Sequence, residues 1–233
     1  NDSFSFFMLN FGRIISIILT VLIIQFCISY FSSEYVKLVE SELVNDIFFL
    51  LIKTSGFLIY SSALVYLFDG ILTGVFLSSK NCIRKSIASF PILFVTFIPI
   101  ALGISFGPPL LMMPGLFFAA RFSFAFFDML LNSENPYFAA KKSYRLTSGY
   151  TFQLIFCIIL IGFPTVFFKW ISQGLIINHA MSLEAIEPKL LFYLAFRMID
   201  VVFAVATSYL LILLFRIFCL VNEAQNNIYL KKT

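Results

Sequence analysis

The sequence predicts an all-α fold: a membrane-embedded bundle of six transmembrane helices with short interfacial helices and both termini on the cytoplasmic side. Three observations predict it. The 233 residues are 61% hydrophobic and 12% charged, against roughly 45–50% and about 25% in a soluble domain, which is more apolar surface than a soluble fold can cover. The apolar residues fall in six stretches near the roughly 20 residues that a bilayer-spanning helix needs. The basic residues gather between alternate stretches, as cytoplasmic loops do. No polar stretch is long enough for a soluble domain, so residues 1–233 read as a single membrane domain.

The first stretch, about 12–30, opens at Arg13 and carries Gln25 toward its outer third. It is too long for the apolar region of a signal peptide, and no small-x-small cleavage site follows it, so it is expected to stay as a helix. Ser32 to Asp46 is acidic, with Tyr35, Val36, Val39, Leu43, Ile47 and Leu50 near helical spacing. That pattern predicts an amphipathic segment lying on the outer face. The second stretch, 56–79, contains Asp69, and Lys80, Arg84 and Lys85 mark a cytoplasmic turn after it. The third, 86–106, carries Pro91 and Pro99 and ends at Gly107-Pro108-Pro109, where two prolines cannot continue helical bonding.

The fourth stretch, 110–131, holds Arg121 and Asp128. Asn135 as N-cap, Pro136 at the first position and Gly149 past the end then predict a short surface helix. Tyr137, Phe138, Ala140 and Tyr144 would form its apolar face and Lys141, Lys142 and Arg145 its basic one. The fifth stretch, 150–171, is expected to kink at Pro164 and to finish with Lys169 and Trp170 at headgroup level. Ser172 to Pro188 reads as a polar outer loop containing the lone His179. The sixth stretch, 190–215, carries Arg197 and Asp200 in its outer half and closes at Arg216.

Charge counting sets the orientation. With the N-terminus inside, ten cations face the cytoplasm: Arg13, Lys80, Arg84, Lys85, Lys141, Lys142, Arg145, Arg216, Lys231 and Lys232. Four face outward: Lys37, Lys53, Lys169 and Lys189. The net charge of +4 is therefore a topology signal, and no nucleic-acid partner is expected.

Four short segments occur in order along the chain: Asp2-Ser-Phe-Ser-Phe-Phe-Met-Leu-Asn-Phe11, Pro114-Gly115, Ser143-Tyr-Arg-Leu-Thr147 and Leu214-Phe-Arg-Ile-Phe218. In them the chain resembles the YciC-like family of bacterial inner-membrane proteins. The resemblance implies a multi-pass protein of that membrane and transfers no catalytic residue. The polar stretch after the first span is shorter than is usual in the family.

An ionised side chain at mid-bilayer costs about 2.5–3.5 kcal/mol on insertion scales, so five residues form a candidate buried polar network: Asp69, Arg121, Asp128, Arg197 and Asp200. Arg197 and Asp200 are three apart and can pair on one helix face, which Ala204 and Ser208 continue into the bundle. Asp69 and Arg121 are expected to partner each other between helices, and Gly70 and Gly74 to offer a small-xxx-small packing surface beside them. Such charges can be neutralised pairs that fix helix register, or they can line a cavity for an ion, a proton or a lipid headgroup. Lys141, Lys142 and Arg145 are candidate contacts for anionic lipid.

Cys27, Cys82, Cys157 and Cys219 show no C-x-x-C spacing and read as free thiols. No cofactor or metal is expected, and no G-x-x-x-x-G-K-[ST], G-x-S-x-G or H-E-x-x-H occurs. The sequence therefore favours a non-enzymatic membrane protein that supports envelope or lipid organisation, with a small transporter or lipid-handling carrier with an Asp/Arg-lined interior as the alternative.

Overall fold

A computed structural model describes residues 2–36, 42–105, 112–182 and 189–230. Among them the regular structure is helical throughout. In order come α1 (Asp2–Leu9), α2 (Phe11–Val36), α3 (Glu42–Leu72), α4 (Ser79–Ser105), α5 (Met112–Asn132), α6 (Pro136–Leu146), α7 (Thr151–Cys157), α8 (Phe163–Ser182) and α9 (Lys189–Leu230). A 3₁₀ turn, Thr147–Gly149, joins α6 to α7, and a π-helical turn, Ile158–Gly162, joins α7 to α8.

Five stretches among the described residues are long and apolar enough to cross a membrane: Phe11–Ser32, Ile47–Leu72, Gly115–Asn132, Thr151–Leu175 and Arg197–Glu223. They match the first, second, fourth, fifth and sixth sequence stretches. The third falls in α4, of which the side chains from 96 onward, like the Gly107-Pro108-Pro109 turn, lie outside the described residues. Much of the exterior is apolar. Phe152 is 86% exposed, Trp170 72% and Val202 68%, a surface suited to lipid rather than water.

Several boundaries differ from the sequence reading. The second stretch was expected over 56–79, but α3 begins at Glu42 and stops at Leu72. Thr73 donates its hydroxyl to the Asp69 carbonyl at 2.8 Å, and Gly74 takes a left-handed φ of 75°. The chain then returns so closely that a Cβ on Gly70 would lie 2.6 Å from the Val75 carbonyl oxygen. Gly70 and Gly74 thus build the reversal into α4 and do not form a helix-packing surface. Of the acidic segment Ser32–Asp46, expected as amphipathic, α2 takes the part to Val36 and α3 the part from Glu42, while 37–41 lie outside the described residues. Likewise Ser172–Ser182, expected as loop, continues α8.

The local signals around proline were well placed. Asn135 accepts the Tyr137 backbone N–H on its side chain at 3.1 Å, with Pro136 opening α6. Pro164 follows the π-helical turn directly. Wider i→i+5 bonding there absorbs the donor that proline lacks and the clash its ring makes with the preceding turn.

The long helix α9 organises the rest, packing against α1, α2, α3, α5 and α8. At its centre an aromatic cluster joins three helices. Phe215 meets Phe68 of α3 at 6.1 Å and Phe127 of α5 at 5.5 Å between ring centroids, and Phe218 meets Phe127 at 5.4 Å and Phe124 at 5.5 Å. All five rings are buried. Such pairs add about 0.5–1.5 kcal/mol each beyond area burial. Part of the chain's complement of 32 phenylalanines therefore has a packing role.

Gly70→Ala is expected to destabilise the protein by about 1–3 kcal/mol, because the backbone carbonyl opposite it cannot rotate away. Gly12→Ala, where a Cβ meets nothing within 4 Å, should be neutral or slightly stabilising. Thermal midpoints of the two variants in the same detergent check the contrast.

Candidate functional site

Two polar constellations stand out, one at each end of the bundle. At the end where α2 meets α3, the helices approach closely over Gly56. A Cβ there would lie 2.6 Å from Gln25 Oε1, so the absent side chain makes room for the Gln25 amide. That amide donates through Nε2 to the Ile52 carbonyl at 3.2 Å and is buried. The contact fixes α3 against α2 next to Lys53.

Across from it, α8 and α9 supply the charges. Lys169 Nζ lies 2.8 Å from Asp200 Oδ1, and Arg197 Nη1 lies 3.5 Å from Asp200 Oδ2. Each cation also covers an aromatic ring: Lys169 sits 4.4 Å from the Phe203 centroid and Arg197 5.7 Å from that of Phe26 on α2. Two turns further along α3 and α9 the Tyr60 hydroxyl meets Thr207 Oγ1 at 3.2 Å. Gln25, Lys53, Tyr60, Lys169, Arg197 and Asp200 thereby line one pocket of about 90 Å³. Among the described residues, three cations line it against one carboxylate.

The depth of this pocket follows from helix geometry. Lys53 is six residues inside the apolar stretch that begins at Ile47, and Lys169 six residues before the end of the one that closes at Leu175. At 1.5 Å per residue both lie about 9 Å inside the ends of those apolar stretches.

The second constellation joins α5 to α6. Asp128 is 1% exposed, and its Oδ1 accepts from Lys142 Nζ at 2.7 Å and from Asn132 Nδ2 at 2.6 Å. Two turns earlier on α5, Arg121 Nη1 donates to the Tyr144 carbonyl at 3.0 Å and its guanidinium stands 4.5 Å from the Tyr144 ring and 5.0 Å from Phe117. The Arg121 carbonyl in turn accepts the Ser143 hydroxyl at 2.6 Å. Helix α6 packs along α5 through Ala139, Ser143 and Leu146 and leaves Tyr137, Phe138, Lys141, Tyr144 and Arg145 exposed, whereas the apolar face expected from the sequence was Tyr137, Phe138, Ala140 and Tyr144.

Five residues were singled out as one buried network, and the structure divides them into separate groups. Arg197 and Asp200 pair as expected, and Ala204 and Ser208 continue their face into the core with 2% and 1% exposure. Asp69 and Arg121 do not pair. The charge acting on Asp69 is Lys85 at the start of α4, while Arg121 is engaged by α6. Of the three proposed lipid contacts, Lys142 is committed to Asp128, whereas Lys141 and Arg145 are exposed. Sequence reasoning missed Lys53 and Lys169 as site residues because each read as a solvated outer cation. Their signal was positional: with Gln25, Arg197 and Asp200 they share one depth across four helices.

Compared with family models, with curated proteins and with solved structures, the chain matches none of them.

Lys142→Ala removes the cation that compensates a buried carboxylate. It should cost about 1–3 kcal/mol, and Asp128→Asn combined with Lys142→Ala should recover part of the loss because no charge is then stranded. Thermal unfolding of both variants measures this. A double variant less stable than Lys142→Ala alone would contradict the pairing.

Proposed function

We propose that this chain is a non-enzymatic multi-pass protein of a bacterial inner membrane that handles lipid by holding an anionic headgroup in the pocket between α2, α3, α8 and α9. In this reading it has six spans, with the third in α4, and both termini face the cytoplasm. The ten-to-four distribution of cations supports that orientation, and the motifs shared with the YciC-like family support the membrane. The pocket then faces outward.

The observation that carries the reading is the excess of positive charge at one depth. Asp200 already serves both Lys169 and Arg197, and Lys53 on the facing helix adds a third cation with no carboxylate within ion-pair distance among the described residues. Near the hydrocarbon boundary the local dielectric is low, so this excess favours a phosphate or carboxylate strongly. A purely supporting role is favoured instead by the α5–α6 junction, where Lys142 and Asn132 meet Asp128 Oδ1 within the chain, although Asp128 Oδ2 and Arg121 Nε are buried there without a hydrogen-bond partner. The two readings apply to opposite ends of the molecule and are compatible.

The test uses the full chain in neutral detergent, with phosphatidylglycerol and phosphatidylcholine offered together and retention read by native mass spectrometry. Phosphatidylglycerol should be retained preferentially. Lys53→Gln should lower the preference by roughly fivefold, the equivalent of about 1 kcal/mol per basic residue, and Lys53→Glu should remove it. Because Lys53 is exposed, neither variant should shift the thermal midpoint. Equal retention of the two lipids, or a preference that survives Lys53→Glu, would refute the proposal.

A further inference from the structure

Deeper in the bundle lies a second space, lined by α3, α4, α5 and α9 and about 190 Å³ in volume. Its walls include Phe57, Leu58, Leu93, Ala119, Phe126 and Leu214. Two hydroxyls also reach it, those of Ser61 and Ser123, and Ser123 donates to the Ala120 carbonyl at 2.8 Å. The space therefore presents an apolar surface. A dry apolar cavity of about 150 Å³ already accepts a benzene ring, so this one has room for part of a hydrocarbon chain.

Its position relative to the cationic pocket decides what it takes. Phe57 lines both spaces. On α9, Asp200 and Ala204 line the pocket and Leu211 and Leu214 line the cavity, and with Thr207 between them they follow at steps of three and four along one helix face. The two spaces thus succeed each other along the seam between α3 and α9. From Asp200 to Leu211 is eleven residues, and to Leu214 fourteen, or about 16 and 21 Å at 1.5 Å per residue. One leaflet of a bilayer's hydrocarbon core is about 15 Å deep. A headgroup seated on Lys53, Lys169 and Arg197 would run its chain past Phe57 into the cavity, whose α9 wall, about 16–21 Å away, lies at and just beyond the bilayer midplane.

We infer that the ligand of this protein is an anionic amphiphile, whose headgroup occupies the cationic pocket and whose acyl chain passes Phe57 into the cavity between α3, α5 and α9. The inference rests on the headgroup reading above and adds the chain to it. An inorganic anion would use the pocket alone. An uncharged hydrocarbon would gain nothing from the lysines.

The experiment measures binding of lysophosphatidylglycerols with octanoyl to palmitoyl chains, and of glycerol phosphate, to the full chain in neutral detergent. Affinity should rise with chain length by about fourfold for each methylene that becomes buried, then level off when the cavity is full. Ala119→Phe, which fills the cavity from α5, should reduce palmitoyl binding toward that of the octanoyl compound and leave glycerol phosphate unaffected. Lys53→Gln should weaken every compound by a similar factor. On the wild-type chain, a photoreactive group at the tip of the palmitoyl chain should label the α5 peptide around Ala119–Phe126 and the α9 peptide around Leu211–Leu214. Affinity independent of chain length, or labelling confined to exterior residues such as Phe152 and Val202, overturns the chain placement while leaving the headgroup reading intact if Lys53→Gln still acts. Loss of the Lys53→Gln effect overturns the headgroup reading itself.

Discussion

Asp200 holds one cation on each of its carboxylate oxygens, and the arrangement of the α2/α3 end of the bundle depends on that. Arg197 comes from its own helix, one turn away, and stiffens α9 locally. Lys169 comes from α8 and ties that helix to α9. An unpaired carboxylate at this depth would be costly, as would either cation alone. Paired, the three groups set the rotation of α8 and leave the lysine on α3 to face a region already positive.

The opposite end is built on a different kind of contact. There a guanidinium is used on a backbone carbonyl and between two rings, and a carboxylate is enclosed by a lysine and an asparagine. These bonds run between α5 and α6 and bring the shorter helix back along the longer. The outcome is a stiff hairpin with Lys141 and Arg145 left on its outer surface. Between the two ends the aromatic cluster about Phe215 supplies shape rather than charge, and it marks the depth at which α3, α5 and α9 are in register.

Much of this was legible in the sequence. Hydropathy located the apolar helices, and Asn135-Pro136 located the start of α6 to the residue, because both depend on local chemistry. The ends of α3 and α8 were less accessible. Apolar counting carried the second stretch to 79, while the helix actually stops where Thr73 and Gly74 turn it; it also gave up α8 at 171, where polar residues continue the helix. The Arg197–Asp200 pair could be read from spacing on one helix. The partners of Asp69 and Arg121 could not, since which helix faces which is a property of packing. The same holds for Lys53 and Lys169, whose relation to Asp200 exists only when four helices are placed side by side.

The π-helical turn at Ile158–Gly162 has a consequence beyond easing Pro164. Such a turn inserts one residue relative to a regular helix, and one residue is about 100° of rotation. Every side chain of α8 is therefore turned by that amount about the helix axis compared with an uninterrupted α7–α8. The lysine that meets Asp200 lies among Phe163, Val166, Phe167 and Trp170, all directed to the exterior. A strictly regular helix would send Lys169 toward a different neighbour and bring another part of that aromatic surface to α9. The irregularity in the backbone is thus a phase adjustment: it sets which way a cation some ten ångströms further along the same helix points.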